Sequence, residues 1–231
     1  MAQGVKEKIR IVTGIEFSTQ WQGRGIHLVG LNFDVENKSM GELIKQQSQS
    51  RERRAELIAD KLETKGIRGG LEGAKQFCQA GASLGRPHFA QFLVAAGHAR
   101  SIKQAFQRYL GAGKACDIQQ EWPDFAPVVE AIKAAGGSPV LAHPAKYVMT
   151  RTKLCAMVAD FKAAGGEGIE LLSGKQTPDK TRAMSQVAVD FDLKGSCGSD
   201  FHAPGQAWQD LGRFGSLPAN VVPIWADWII N

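Results

Sequence analysis

The chain has 231 residues but no run approaching the roughly 20 consecutive apolar residues of a membrane-crossing helix, so no helical membrane span is expected. Its opening, Met1-Ala2-Gln3-Gly4-Val5-Lys6-Glu7, lacks the apolar stretch of a signal peptide, and a cytoplasmic protein without a membrane partner is the expectation. The four cysteines, Cys78, Cys116, Cys155 and Cys197, are scattered with no Cys-x-x-Cys pair, which removes a zinc ribbon or a disulfide framework and leaves reduced, incidental thiols. There is no internal repeat or low-complexity tract. Nothing in the sequence implies a protein partner. Net charge is +5, which suits an anionic partner without requiring one. Arg51, Arg53, Arg54, Lys61 and Lys65 fall in one helical stretch and read first as a solvated face, second as a phosphate-attracting one.

What is present is a hydrophobic fraction of 43%, enough for a large α/β core, and a small set of well-placed histidines and carboxylates. Strand-like runs recur at 11–16, 26–33, 138–142, 168–172 and 193–197, with helical periodicity over 40–65, 126–135, 153–164 and 179–191. This alternation points to parallel β-α units whose functional residues sit at the carboxyl ends of strands. From about Gly66 to Trp122 the alternation stops: the stretch reads as helices alone, including 86–96 and 101–110, broken by Gly69-Gly70 and Gly111-Ala112-Gly113. The expected organisation is therefore a barrel part over 1–65 and 123–231, interrupted by a helical insertion, or cap, over 66–122.

Three of the five histidines lie in or just after strand-like runs. His143 closes Ser138-Pro139-Val140-Leu141-Ala142-His143-Pro144, and Asp200 and His202 end the run Gly198-Ser199-Asp200-Phe201-His202. If that last segment is extended, both side chains point to one side, as metal ligands would. Glu16 ends one run and His27 opens the next, on the opposite side from Ile26 and Leu28. A hairpin with Gln20-Trp21-Gln22-Gly23-Arg24-Gly25 as its turn is read as setting Glu16 opposite His27. Glu170, at the end of another run, is equally a supporting polar group and an ordinary strand-end carboxylate. His98 reads as a surface residue. In Gly85-Arg86-Pro87-His88-Phe89, Arg86 and His88 open a helix whose free N–H groups favour an anion, although an ordinary capped helix start explains the spacing as well.

Ala142-His143-Pro144, Gly198-Ser199-Asp200-Phe201-His202 and Gly14-Ile15-Glu16 with His27 together resemble the PHP (polymerase and histidinol phosphatase) family of metal-dependent phosphoesterases. Gly85-Arg86-Pro87-His88-Phe89-Ala90, Tyr109-Leu110-Gly111-Ala112-Gly113-Lys114 and Gly165-Gly166-Glu167-Gly168-Ile169-Glu170 resemble one branch, the 3′,5′-nucleotide bisphosphate phosphatases that also act as 5′-to-3′ exoribonucleases. The resemblance implies an α/β fold, a distorted (β/α)7 barrel with an all-helical insertion. It implies Glu16, His27, His143, Asp200 and His202 as ligands of two or three divalent metal ions, manganese first, with iron or zinc suiting the same donors. It further implies hydrolysis by metal-activated water of a nucleotide bisphosphate or of an RNA 5′ end. Arg86, His88, Lys114 and Lys146 are the expected phosphate-holding residues; Lys146 stands where the branch commonly carries Arg. The His-x-His and Asp-His-Asp-like strand ends with which the family begins do not occur in this sequence, so an N-terminally incomplete barrel is expected. The alternatives are a catalytically inactive remnant that binds nucleotide or RNA, and a histidinol-phosphate-like small monoester phosphatase.

Overall fold

A computed structural model describes residues 11–79, 82–118, 122–201 and 210–228. Gln22 and Gly23 both take positive φ, 48° and 71°, the pattern of a type I′ turn, and join β1 (Gly14–Trp21) to β2 (Arg24–Leu31) as a tight antiparallel hairpin. Ile26, Leu28 and Gly30 are buried while His27 is half-buried, so the alternation read from the sequence holds and His27 occupies the other face. Because the turn is confined to two residues, β1 runs on to Trp21 and β2 begins at Arg24, two residues earlier than expected; β1 also starts three residues later, at Gly14.

The chain continues into α1 (Lys38–Glu63), then α2 (Gly70–Lys75), α3 (Arg86–Ala95) and α4 (Ile102–Ala105). Next come α5 (Phe125–Ala134), β3 (Ser138–Leu141), α6 (Arg151–Ala163), β4 (Gly168–Ser173), α7 (Pro178–Asp190) and β5 (Lys194–Gly198). Among the described residues, five strands form one sheet in the order β1-β2-β3-β4-β5. The expected parallel alternation applies to β3, β4 and β5, where α6 and α7 are the crossovers. β2 pairs antiparallel with β3, with Leu28 against Leu141 and Gly30 against Pro139.

The molecule divides into two compact units, residues 1–41 with 122–231 and residues 42–121. In the first, Phe17, Ile26, Leu28, Val128, Ile132, Leu141, Met157, Phe161, Ile169 and Val187 are buried around the sheet. Phe125 meets Phe161 edge to face, with ring centroids 6.1 Å apart. Gly166, after α6, is needed by close approach: a Cβ there would lie 2.2 Å from the Phe161 ring. The second unit has its own core of Ile58, Leu62, Ile67, Phe89, Leu93, Leu110 and Cys116. There α4 runs into a π-helical segment, Phe106–Leu110, closed by the Gly111 N–H donating to the Phe106 carbonyl at 2.8 Å.

Candidate metal centre

Symmetric pairing about the Gln22-Gly23 turn sets Ser18 opposite His27 and Glu16 opposite Val29, not Glu16 opposite His27 as expected. Glu16 is nevertheless the diagonal neighbour of His27 on the same face, and its longer side chain covers the offset. Its Oε1 lies 2.6 Å from His27 Nδ1. His143 joins them from beyond the end of β3, in the left-handed region at φ 32°. Its Nε2 is 3.2 Å from Glu16 Oε1 and 3.3 Å from His27 Nδ1, and the two imidazole rings stand 5.1 Å apart at 76°. Three potential ligand atoms, from β1, β2 and the β3 end, thus lie within 4.8 Å of one another.

Two residues hold this arrangement. Glu170 on β4 accepts the His143 backbone N–H through Oε2 at 2.6 Å, fixing the strained residue from the neighbouring strand. Tyr147, after the short 3-10 turn Pro144–Lys146, accepts the His27 backbone N–H at 2.8 Å and sets its ring edge-on to His143 at 5.6 Å. Its strand-end position in the sequence leaves Glu170 open between a supporting polar group and an ordinary carboxylate, and Tyr147 has no sequence signal beyond standing three residues after Pro144.

Asp200 lies two residues past β5 at φ 52°, so the extended segment expected to align Asp200 and His202 is absent at Asp200. The small residues that end β5 let the chain turn there instead of continuing as a strand. Lys146 Nζ forms an ion pair with Asp200 Oδ2. His202 lies outside the described residues.

The electrostatics follow from this crowding. Burial pushes the Glu16 carboxyl up, but hydrogen bonds from His143 and His27 and their positive charge outweigh it, holding Glu16 well below the usual carboxylate range. For His143 burial favours the neutral ring, yet the Glu16 hydrogen bond and the charges of Glu16, Glu170 and Asp200 raise it above the ordinary imidazole value. Glu170 is raised, by burial first, against the His143 N–H and with the charges of Glu16 and Asp200 adding to the burial. Burial and the Glu170 charge push the Cys197 thiol up to about 11, so it is protonated at neutral pH.

The donor set fits a divalent ion. His27 Nδ1 and His143 Nε2 lie 3.3 Å apart and converge on Glu16 Oε1 at 2.6 and 3.2 Å, so one cation can take the place of the protons these three groups share. The second nitrogen of His143, Nδ1, is buried with no partner among the described residues. Imidazole and carboxylate donors without thiolate suit manganese, iron or zinc.

The remaining predicted residues belong to the helical unit. Arg86 Nη1 lies 3.7 Å from Asp117 Oδ1 and 3.4 Å from the Leu110 carbonyl. His88 Nδ1 accepts the Gly85 N–H at 3.0 Å, leaving Nε2 to carry the ring proton, and burial holds the imidazole below its ordinary value. Lys114 closes the Gly111–Lys114 turn, exposed, with Asp117 accepting the Gly113 N–H at 2.9 Å. Arg54 joins this group. The solvated face read for the cations from Arg51 to Lys65 holds for Arg53, Lys61 and Lys65 but not for Arg51 and Arg54, which are half-buried; Arg54 feels the charges of Arg86 and Asp117 and keeps a buried Nε with no partner among the described residues. The spacing carried the signal: Arg54 shares its helix stripe with the buried Ile58 and Leu62.

No protein-family model matches the chain. It is 44% identical over 217 residues to a 5′-3′ exoribonuclease of Haemophilus influenzae, covering 94% of this chain and 78% of that one. It is 35% identical over 226 residues to a 3′,5′-nucleoside bisphosphate phosphatase of Chromobacterium violaceum, covering 98% and 79%. A solved structure from Chromobacterium violaceum, described as an amidohydrolase with bound sulfate and no metal, superposes with a TM-score of 0.84 at 36% identity, covering 93% of this chain and 74% of that one. With such identity along nearly its whole length, the chain belongs to the family of PHP-type phosphoesterases that includes the bacterial 5′-3′ exoribonucleases and 3′,5′-nucleoside bisphosphate phosphatases.

Proposed function

We propose that this chain hydrolyses phosphoester bonds of 3′,5′-nucleotide bisphosphates and of RNA 5′ ends. The observation that carries the reading is the convergence of Glu16 Oε1, His27 Nδ1 and His143 Nε2 within 4.8 Å, beside Asp200 and Glu170. Glu16, His27, His143 and Asp200 would hold divalent metal, manganese being the ion proposed, and His202 is proposed with them from the sequence. A bound divalent ion supplies a water of lowered pKa and polarises the phosphoryl oxygens. The order of the sheet, a hairpin followed by parallel β-α units, supports reading it as part of a distorted β/α barrel.

The protein's own residues do the rest. Glu170 and Tyr147 hold His143 and His27 in place through their backbone N–H groups. Lys146, paired with Asp200, offers a cation beside the centre that can transfer to a substrate phosphate. In the second compact unit, Arg54 and Arg86 share one nearby carboxylate, Asp117, which leaves positive charge over and the buried Arg54 Nε in need of an acceptor. Together with neutral His88 as a donor and with Lys114, they are proposed to bind a phosphate.

Phosphate release from 3′,5′-bisphosphoadenosine in Mn²⁺ tests the proposal. Release is expected to stop in EDTA and in His143→Ala, with the fold retained by circular dichroism. Undiminished release in EDTA or from His143→Ala overturns the metal-centre assignment, and tight binding without release at any metal concentration identifies a nucleotide-binding protein instead.

A further inference from the structure

Two cavities lie side by side on the sheet unit, at the carboxyl end of β4 and the start of α7, the same strand ends that carry the metal centre. The larger is about 750 Å³ and the smaller about 570 Å³, and they adjoin at the shared Lys175, Gln176 and Pro178 as a two-part groove. At its near end the groove is lined by Lys146, the partner of Asp200. Lys180 lines the smaller cavity, Lys175 both, and Arg182 and Arg213 the larger, and among the described residues no Asp or Glu lines either. Another cavity, at the opposite strand ends, differs in this respect: its Lys133 and Lys162 meet Glu167 and Asp192, which line it too, each at 3.4 Å.

We propose that this groove binds the sugar-phosphate backbone of an RNA strand beyond the nucleotide held at the metal centre. The proposal rests on the phosphoesterase reading for which end of the strand lies at the centre. A row of cations leading away from one catalytic end matches a polyanion with charge at every residue, and a mononucleotide bisphosphate has nothing to place beyond the first of them. Arg182 and Arg213 have carboxylate neighbours, Asp179 at 2.9 Å and Asp210 at 3.9 Å, but these are exposed i,i+3 pairs that a phosphate displaces at little cost. Among the described residues Lys175 and Lys180 have no carboxylate within ion-pair distance. Phe214, exposed on the groove wall, supplies an aromatic surface for bases, which suits sequence-tolerant binding of a single strand.

The test is fluorescence anisotropy of a 5′-phosphorylated oligoribonucleotide of about eight nucleotides, in EDTA so that no turnover intervenes, over a salt titration. It compares the full chain with Lys175→Ala/Arg182→Ala/Arg213→Ala. Three lost phosphate contacts should flatten the slope of log K against log salt by about 2, at about 0.7 per contact for a single strand, and weaken low-salt binding at least about tenfold. The Mn²⁺-dependent kcat/KM on 3′,5′-bisphosphoadenosine should change by less than about twofold, which also reports that the variant is folded. An unchanged slope overturns the groove. An equal loss for a poly-glutamate peptide also overturns the RNA assignment, in favour of an acidic protein segment. Should the parent chain fail to hydrolyse the bisphosphate, the phosphoesterase reading fails while the anisotropy slope still decides the groove.

Discussion

Removing the Glu170 carboxylate separates positioning from bulk charge at the metal centre. Glu170 accepts the His143 N–H at 2.6 Å, short enough for a charge-assisted hydrogen bond, and such bonds contribute about 1.5–3 kcal/mol. The anchored residue sits at φ 32°, a conformation that costs a non-glycine residue about 1–3 kcal/mol. The two magnitudes are comparable, so without Glu170 the left-handed turn loses what offsets its strain, and the His143 ring is free to leave the 3.2–3.3 Å contacts with Glu16 and His27. Glu170→Ala is expected to weaken Mn²⁺ binding by about 10–100-fold, the usual cost of losing an outer partner of a metal ligand. Glu170→Gln keeps an acceptor of the same shape and loses the charge, so it should recover most of that affinity if positioning dominates. Isothermal titration of Mn²⁺ into the three proteins, with thermal melts of each, makes the comparison. Alanine and wild-type proteins with equal Mn²⁺ affinity would refute the positioning role; a glutamine variant as weak as alanine would assign the effect to charge.

Two more outcomes rest on single contacts. Gly166→Ala places a Cβ about 2.2 Å from the fully buried Phe161 ring and should cost about 1–3 kcal/mol, lowering Tm by several degrees, whereas Gly25→Ala, with nothing within 4 Å, should leave the melt in place. Equal melts for the two variants would show that the Phe161 packing relaxes freely. Arg54→Ala should raise KM for 3′,5′-bisphosphoadenosine by about tenfold, the loss of one charge-assisted contact, while the exposed Arg53→Ala moves it by less than about twofold. Matching KM values for the two variants would return Arg54 to the solvated face.

Short-range pattern carried the secondary structure. The helices expected over 126–135, 153–164 and 179–191 are observed as Phe125–Ala134, Arg151–Ala163 and Pro178–Asp190, each within two residues, because apolar spacing and Gly or Pro boundaries are local properties. His27 on the face opposite Ile26 and Leu28 follows from the same two-residue periodicity. What the sequence left open depended on pairing and on backbone that leaves regular structure. Strand register centred on Gln22-Gly23 makes Glu16 diagonal to His27, and only the strand ends decide that His143 and Asp200 take positive φ.

Burial of charge is likewise a tertiary outcome. Arg54 and Arg53 are adjacent in sequence, yet one faces Arg86 and Asp117 while the other is solvated, since a helix rotates neighbouring residues about 100° apart. The groove at Lys146, Lys175 and Lys180 has the same origin: the turn after β3 and the β4–α7 connection are far apart along the chain, and parallel pairing of β3 with β4 brings their cations to one rim. By itself, the sequence determined which residues have the chemistry to bind metal and phosphate, because side-chain type is written into it. The tertiary structure decided which of them meet, because convergence at 3 Å is a property of strand register and turn geometry.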